Sequence, residues 1–168
     1  MIGRNDEMRL DVRGRATLDQ VPVGVVSHMI SIGDAGDALG DLRLPGIHPD
    51  RHLCLHFRDR KSPQRSGAPR EGEIRPLFEW LDAVVPIKAL LVHCGAGMSR
   101  SPAIAVLAFC HLQPSTDPYQ QMLFVESSCR CKHIWPNRLV VQLGDRILER
   151  NQAIVDAVEQ WRATQNNS

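Results

Sequence analysis

The nine residues His93-Cys94-Gly95-Ala96-Gly97-Met98-Ser99-Arg100-Ser101 place a thiol and a guanidinium at the two ends of a five-residue loop. That spacing suits the binding of a tetrahedral oxyanion and attack on it. Cys94 is the candidate nucleophile, because the thiolate is the reactive form and a helix N-terminus with a neighbouring cation favours it. Arg100 can curl back and hold two oxygens through its planar fork, which a lysine cannot do. Gly95 and Gly97 leave no Cβ in the way of backbone N–H groups turned inward. Gly95, Ala96, Gly97, Met98, Ser99 and Arg100 are therefore the candidate phosphate-binding residues. Ser101 can donate a hydrogen bond to the sulfur and ease its departure from a covalent intermediate. His93 would orient the nucleophile from behind.

Such a loop needs a strand before it and a helix after it. Ala89-Leu90-Leu91-Val92 is short, apolar and suited to a buried parallel strand. Residues 101–112 are rich in Ala, Leu, Ile and Val, with Pro102 in the first turn, where a missing N–H costs nothing. The first amides of that helix then face the loop, and its macrodipole adds roughly half a positive charge there. Upstream, Val23-Gly24-Val25-Val26 and Met29-Ile30-Ser31-Ile32 read as early strands ended by the turn-rich Gly33-Asp34-Ala35-Gly36-Asp37. Residues 52–57 alternate as a strand does, and residues 58–72 read as a long exposed loop. From Glu73, apolar residues recur at helical spacing as far as Pro86, completing a crossover unit.

Downstream the chain reads as helical. Asp117-Pro118 opens a helix to about Ser128, and Trp135-Pro136-Asn137 opens another with Asn137 as its cap. Val140, Leu143, Ile147, Ile154, Val158 and Trp161 then form an apolar stripe that Asn151 interrupts, which reads as two helices. The expected fold is α/β, a central mostly parallel sheet flanked by helices, with the cysteine loop at a strand-to-helix turn. Residues 1–168 read as one domain with a polar N-terminal segment over residues 1–20 and a frayed tail over residues 165–168.

Cleavage of a phosphate monoester also needs a proton for the leaving oxygen. Asp59 is the candidate acid: it follows the strand of residues 52–57 and so lies at the carboxyl edge of the sheet, where Cys94 also emerges. Asp50 precedes that strand, and Asp82 sits within the following helix.

Composition narrows the classes. Apolar residues make up 43% of 168, which excludes disorder, and a net charge of +1 gives no global attraction to nucleic acid or to an acidic membrane surface. Five cysteines without regular spacing argue against a disulfide framework and for a reducing compartment. No apolar run approaches the ~18 residues of a membrane span. A soluble cytoplasmic protein is expected, without nucleic-acid or membrane partners. His28, His48, His52, His56, His111 and His133 form no ligand-spaced cluster, and Cys129 and Cys131 lack a second pair, so no metal or cofactor is expected. The charges Arg58, Arg60, Lys61, Arg65 and Arg70 read as a solvated face.

His93-Cys94, Gly97, Arg100 and Ser101 resemble the signature of the cysteine-based protein tyrosine phosphatases. Residues 96–101 are most similar to the compact dual-specificity branch, and the resemblance covers about residues 23–112. It implies hydrolysis of phosphotyrosine, and of phosphoserine or phosphothreonine, through a cysteinyl-phosphate, with a phosphorylated protein or peptide as partner and no cofactor. It also supports Asp59, which lies 35 positions before Cys94, since dual-specificity enzymes carry their acid some thirty residues before the cysteine. Phosphoinositide phosphatases of the superfamily carry lysines inside the loop, where this chain has Gly95, Ala96 and Met98. Asn137 lies where related enzymes place a water-positioning amide. The alternatives are a non-catalytic phosphopeptide-binding module, a phosphatase of a non-protein phosphate ester, and a sulfur or arsenate enzyme with a similar loop.

Overall fold

The computed structural model describes residues 8–166, so residues 1–7 of the polar N-terminal segment and 167–168 of the expected tail lie outside the described residues. Four strands, β1 (Arg9–Gly14), β2 (His28–Gly33), β3 (His52–His56) and β4 (Ala89–Cys94), form one sheet in the order β1-β4-β2-β3. Every pairing is parallel. β2 and β4 are buried at all six positions each, which explains why they read as continuous apolar runs rather than as alternation.

Five α-helices follow from the sequence pattern: α1 (Glu71–Val84), α2 (Arg100–Leu112), α3 (Pro118–Ser128), α4 (Arg138–Ile147) and α5 (Ala153–Gln165). All five share one core with Ile30, Ile32, Leu90 and Val92 of the sheet. The opposite face, carrying Met29 and Leu91, is covered by short 3-10 turns and loops through Leu18, Val21 and Ile47. Helix α2 lies in the middle of the helical layer, and its residues from Ser101 to Cys110 are all buried. That matches a helix apolar on every side. Asn151 falls between α4 and α5, in a connection where Glu149, Asn151 and Gln152 all have positive φ. Pro118 begins α3 as expected, although Asp117 makes no side-chain capping bond. Helix α1 begins two residues before Glu73, taking the last residues of the expected loop.

Two expectations are corrected. Residues 23–26 are not a strand: Val25 N–H bonds Pro22 O at 3.4 Å, Gly24 takes φ +82°, and Val23 is 73% exposed. Pro22 fixes its own φ and Gly24 permits the turn, so the apolar run caps the loop before β2. The N-terminal segment, read as merely polar, contains β1. Its apolar residues alternate, with Val12 fully buried, while Asp11 and Arg13 between them neutralise one another.

That ion pair anchors the edge of the sheet. Arg13 donates to Asp11 at 2.6 and 3.1 Å and to Thr17 O at 2.7 Å, while Arg130 donates to Asp11 at 3.2 and 3.3 Å. Arg130 N–H also bonds Val12 O at 2.8 Å, and Cys129 forms a bridge with Val12, so the chain after α3 covers the free edge of β1. Burial alone would raise the Asp11 pKa, but hydrogen bonds and charge from Arg13 and Arg130 overcome it and hold the carboxyl below its ordinary value of 3.8. A carboxyl depressed in the folded state contributes stability above its unfolded pKa and loses it as pH falls through the folded one. Asp11→Asn is therefore expected to lower stability at neutral pH, and the deficit should shrink as pH falls below about 3.8. Denaturant titrations at neutral and acid pH check this; a pH-independent deficit would contradict it.

Candidate active site

The carboxyl ends of all four strands meet at one edge, and the cysteine loop lies there between β4 and α2. Cys94, the last residue of β4, pairs in register with Gly14 of β1 and is 3% exposed. The Gly97 N–H donates to Cys94 Sγ at 3.2 Å, and Ser101 Oγ lies 3.2 Å from the same sulfur. Both are able to stabilise negative charge on it. Gly97 has φ +74°, and a Cβ there would fall 2.5 Å from Arg13 C and Gly14 N. Gly14 is as confined, since its Cβ would lie 2.9 Å from Ala96 O. Arg15 N–H donates to Gly95 O at 3.0 Å, so the end of β1 braces the loop along its length.

Arg100 curls back over this cradle. Its Nη1 donates to Asp34 Oδ1 and to Phe57 O, each at 2.8 Å, and its Nη2 would be 3.8 Å from a Cβ on Gly95. The chain directly after β2 and the chain directly after β3 thus fix the guanidinium from two sides. Beside Asp34, Asp37 accepts from Asp34 N–H at 3.0 Å and from Arg15 at 3.2 Å. These bonds hold the Asp37 carboxyl below its ordinary range and keep a second cation at the loop.

Asp59 is exposed, yet its carboxylate is held at the loop. Oδ1 accepts from Ser99 Oγ and from Asn137 Nδ2, each at 2.7 Å. Asn137, which is 1% exposed, also donates to Arg60 O at 3.0 Å, while its own Oδ1 accepts from Val140 N–H at 3.1 Å and caps α4. The stretch around it runs beside the loop: Trp135 N–H bonds Met98 O at 2.7 Å and Asn137 N–H bonds Ser99 O at 3.0 Å.

Behind the nucleophile a polar chain crosses the sheet. His93 Nε2 lies 2.6 Å from Ser31 Oγ, and that oxygen lies 2.7 Å from His52 Nε2, linking β4, β2 and β3. Burial, with Arg15 and His52 nearby, pushes His93 down to about 4 against the opposing Cys94 backbone, so its ring is neutral at neutral pH. Burial pushes the Cys110 and Cys129 thiols up to about 12. Among the described residues, no group of three or more His, Cys, Asp or Glu is arranged to hold a metal.

The residues singled out from sequence lie together, and Ser99, expected to offer its backbone N–H to the anion, also gives its hydroxyl to Asp59. Asp34, Asp37, Arg15 and Ser31 were not anticipated. Asp34 follows β2 at the same carboxyl edge that pointed to Asp59, so the same topological rule would have found it.

The fold is one that solved structures of phosphatases share. Structures sharing it include the Cydia pomonella PTP-2 phosphatase, with 23% identity over 83% of this chain and 85% of that one and a TM-score of 0.57. Human DUSP28 shows 19% identity over 86% and 94% of the two chains, with a TM-score of 0.60. A mouse putative dual specificity phosphatase complexed with zinc tungstate shows 16% identity over 94% and 98%, with a TM-score of 0.57. No protein-family model matches the sequence, and no curated protein sequence matches it.

The cap made by Asn137 Oδ1 is separable from the bonds made by its Nδ2. Asn137→Ala removes the cap and leaves the buried Val140 N–H without its acceptor, so a loss of about 1–3 kcal/mol is expected in thermal or denaturant unfolding. Asn137→Ser keeps a capping oxygen and should recover part of that loss; equal destabilisation by both would contradict the capping role.

Proposed function

We propose that the chain is a phosphoric monoester hydrolase acting on phosphoproteins, with phosphotyrosine as substrate and phosphoserine or phosphothreonine also admitted. The observation that carries this is the convergence of Cys94, Ser101, Arg100 and Asp59 on one loop at the carboxyl edge of the sheet. The similar structures named as phosphatases support it, as does the tungstate, a tetrahedral oxyanion, in one of them.

In this reading Cys94 Sγ attacks phosphorus in line as the bond to the leaving oxygen breaks, and Asp59 gives that oxygen its proton. The backbone N–H groups of residues 95–100 and the Arg100 guanidinium bind the equatorial oxygens, whose charge develops in the transition state. The product is a cysteinyl-phosphate. Asp59, now a carboxylate, takes a proton from the water that attacks phosphorus, the S–P bond breaks, and Ser101 donates to the departing sulfur. Asn137 and Ser99 hold Asp59 at the loop through both steps. His93 is neutral and serves as a rigid backing to Cys94. A catalytic thiolate needs a reducing setting, and a cytoplasmic location is part of this proposal.

Hydrolysis of an aryl phosphate and of matched phosphotyrosyl and phosphothreonyl peptides tests the reading. Cys94→Ser should abolish turnover, and Asp59→Asn should lower kcat by about 10²–10⁴-fold. Unchanged turnover in Cys94→Ser would overturn the mechanism; an unchanged rate in Asp59→Asn would move the acid elsewhere.

A further inference from the structure

We infer that the cavity beside Met98 is a substrate subsite that takes a bulky apolar side chain close in sequence to the phosphorylated residue. This rests on the phosphoprotein reading above and concerns what that site selects.

Single exposed hydrophobic residues are ordinary on a protein surface, but a pair at the mouth of a reaction site is not. Met98 is 40% exposed and Trp135 is 38% exposed, and they are joined by the 2.7 Å bond from Trp135 N–H to Met98 O. Both open onto a cavity of about 380 Å³ that Ile134 and Trp161 also line, with Lys132 and Gln165 at its rim. That volume is in the range of small ligand sites and exceeds what one side chain fills.

Position decides the occupant. Met98 belongs to the loop that would hold the phosphate and lies four residues after Cys94, so the cavity adjoins that loop. An extended chain running across the cradle advances ~3.3–3.6 Å per residue, so a near neighbour of the phosphoresidue is the side chain brought to a cavity adjoining the loop. Next to it the mouth is polar, where Asp59 is bonded to Ser99 and Asn137. An apolar side chain gains by entering the Met98 cavity, where Ile134, Trp135 and Trp161 line the wall.

The wall is also rigid before anything binds. The Arg162 guanidinium sits 4.9 Å from the Trp135 ring centroid, and the Trp161 and Trp135 rings are 6.3 Å apart. Arg162 itself is anchored by a hydrogen bond to Pro136 O. An aromatic wall held in place loses little entropy on binding, which is the character of an interface anchor.

The test is a series of phosphotyrosyl peptides of one length, with Ala, Leu or Phe at each position within three residues of the phosphotyrosine, assayed as kcat/KM with the full chain. One flanking position is expected to favour Phe or Leu over Ala by about ten-fold, corresponding to partial burial of such a side chain. Trp135→Ala should reduce that ratio towards one. Gln165→Trp, at an exposed rim position where folding is not at stake, should reduce it as well by filling the cavity. Equal kcat/KM across the series, with the aryl phosphate and all peptides turned over, would overturn the subsite and leave the phosphatase reading standing. A preference that survives both substitutions would also overturn it. Turnover of the aryl phosphate with no peptide hydrolysed would overturn the phosphoprotein reading and the subsite with it.

Discussion

The site depends on one close approach. The loop after Cys94 can turn its amides inward only because Gly97, at φ +74°, lies against the backbone of Arg13 and Gly14, where no Cβ fits. Gly14 is in turn the last residue of β1, and β1 is held at the sheet edge by the buried pair Asp11–Arg13 and by Arg130 from beyond α3. The shape of an anion cradle in the middle of the sequence is thus set by the first strand and by a residue thirty positions after the cradle. Local sequence makes the loop possible; the packing of β1 makes it one shape.

A second economy appears in Asn137. Its oxygen caps α4 and its amide nitrogen fixes Asp59 and the carbonyl of Arg60, so the placement of the helix and of Asp59, the proposed acid, share one side chain. The backbone bonds from Trp135 and Asn137 to Met98 and Ser99 lay the same segment along the cradle. The geometry around Asp59 and Ser99 and one wall of the neighbouring cavity therefore come from a single connection between α3 and α4.

What could be read from sequence was what is local or follows a topological rule. Cys94 to Ser101 is a continuous stretch whose residue types each have a chemical reason, and Asp59 follows from its place after β3. The cap at Asn137 was legible because a side chain before a helix bonds within three residues. Its bond to Asp59 was not, because the partner is 78 positions away. β1 escaped because its charged residues are neutralised by each other rather than by water, so composition read as a polar tail. The converse error at residues 23–26 arose because apolar character there serves the loop that Pro22 and Gly24 impose. Ser31 and His52, read as strand residues, become a polar chain behind His93 only once β2 and β3 are set side by side.

Nucleophilic catalysis at Cys94 is tested most directly by acid-quenching the chain during turnover of a phosphotyrosyl peptide and mapping phosphate by mass spectrometry under conditions that preserve thiophosphate esters. A phosphate adduct on Cys94 is the predicted result, and it should accumulate in Ser101→Ala, where the departing sulfur loses its hydrogen-bond donor. Product release without any adduct on Cys94, or an adduct on another residue, would contradict it.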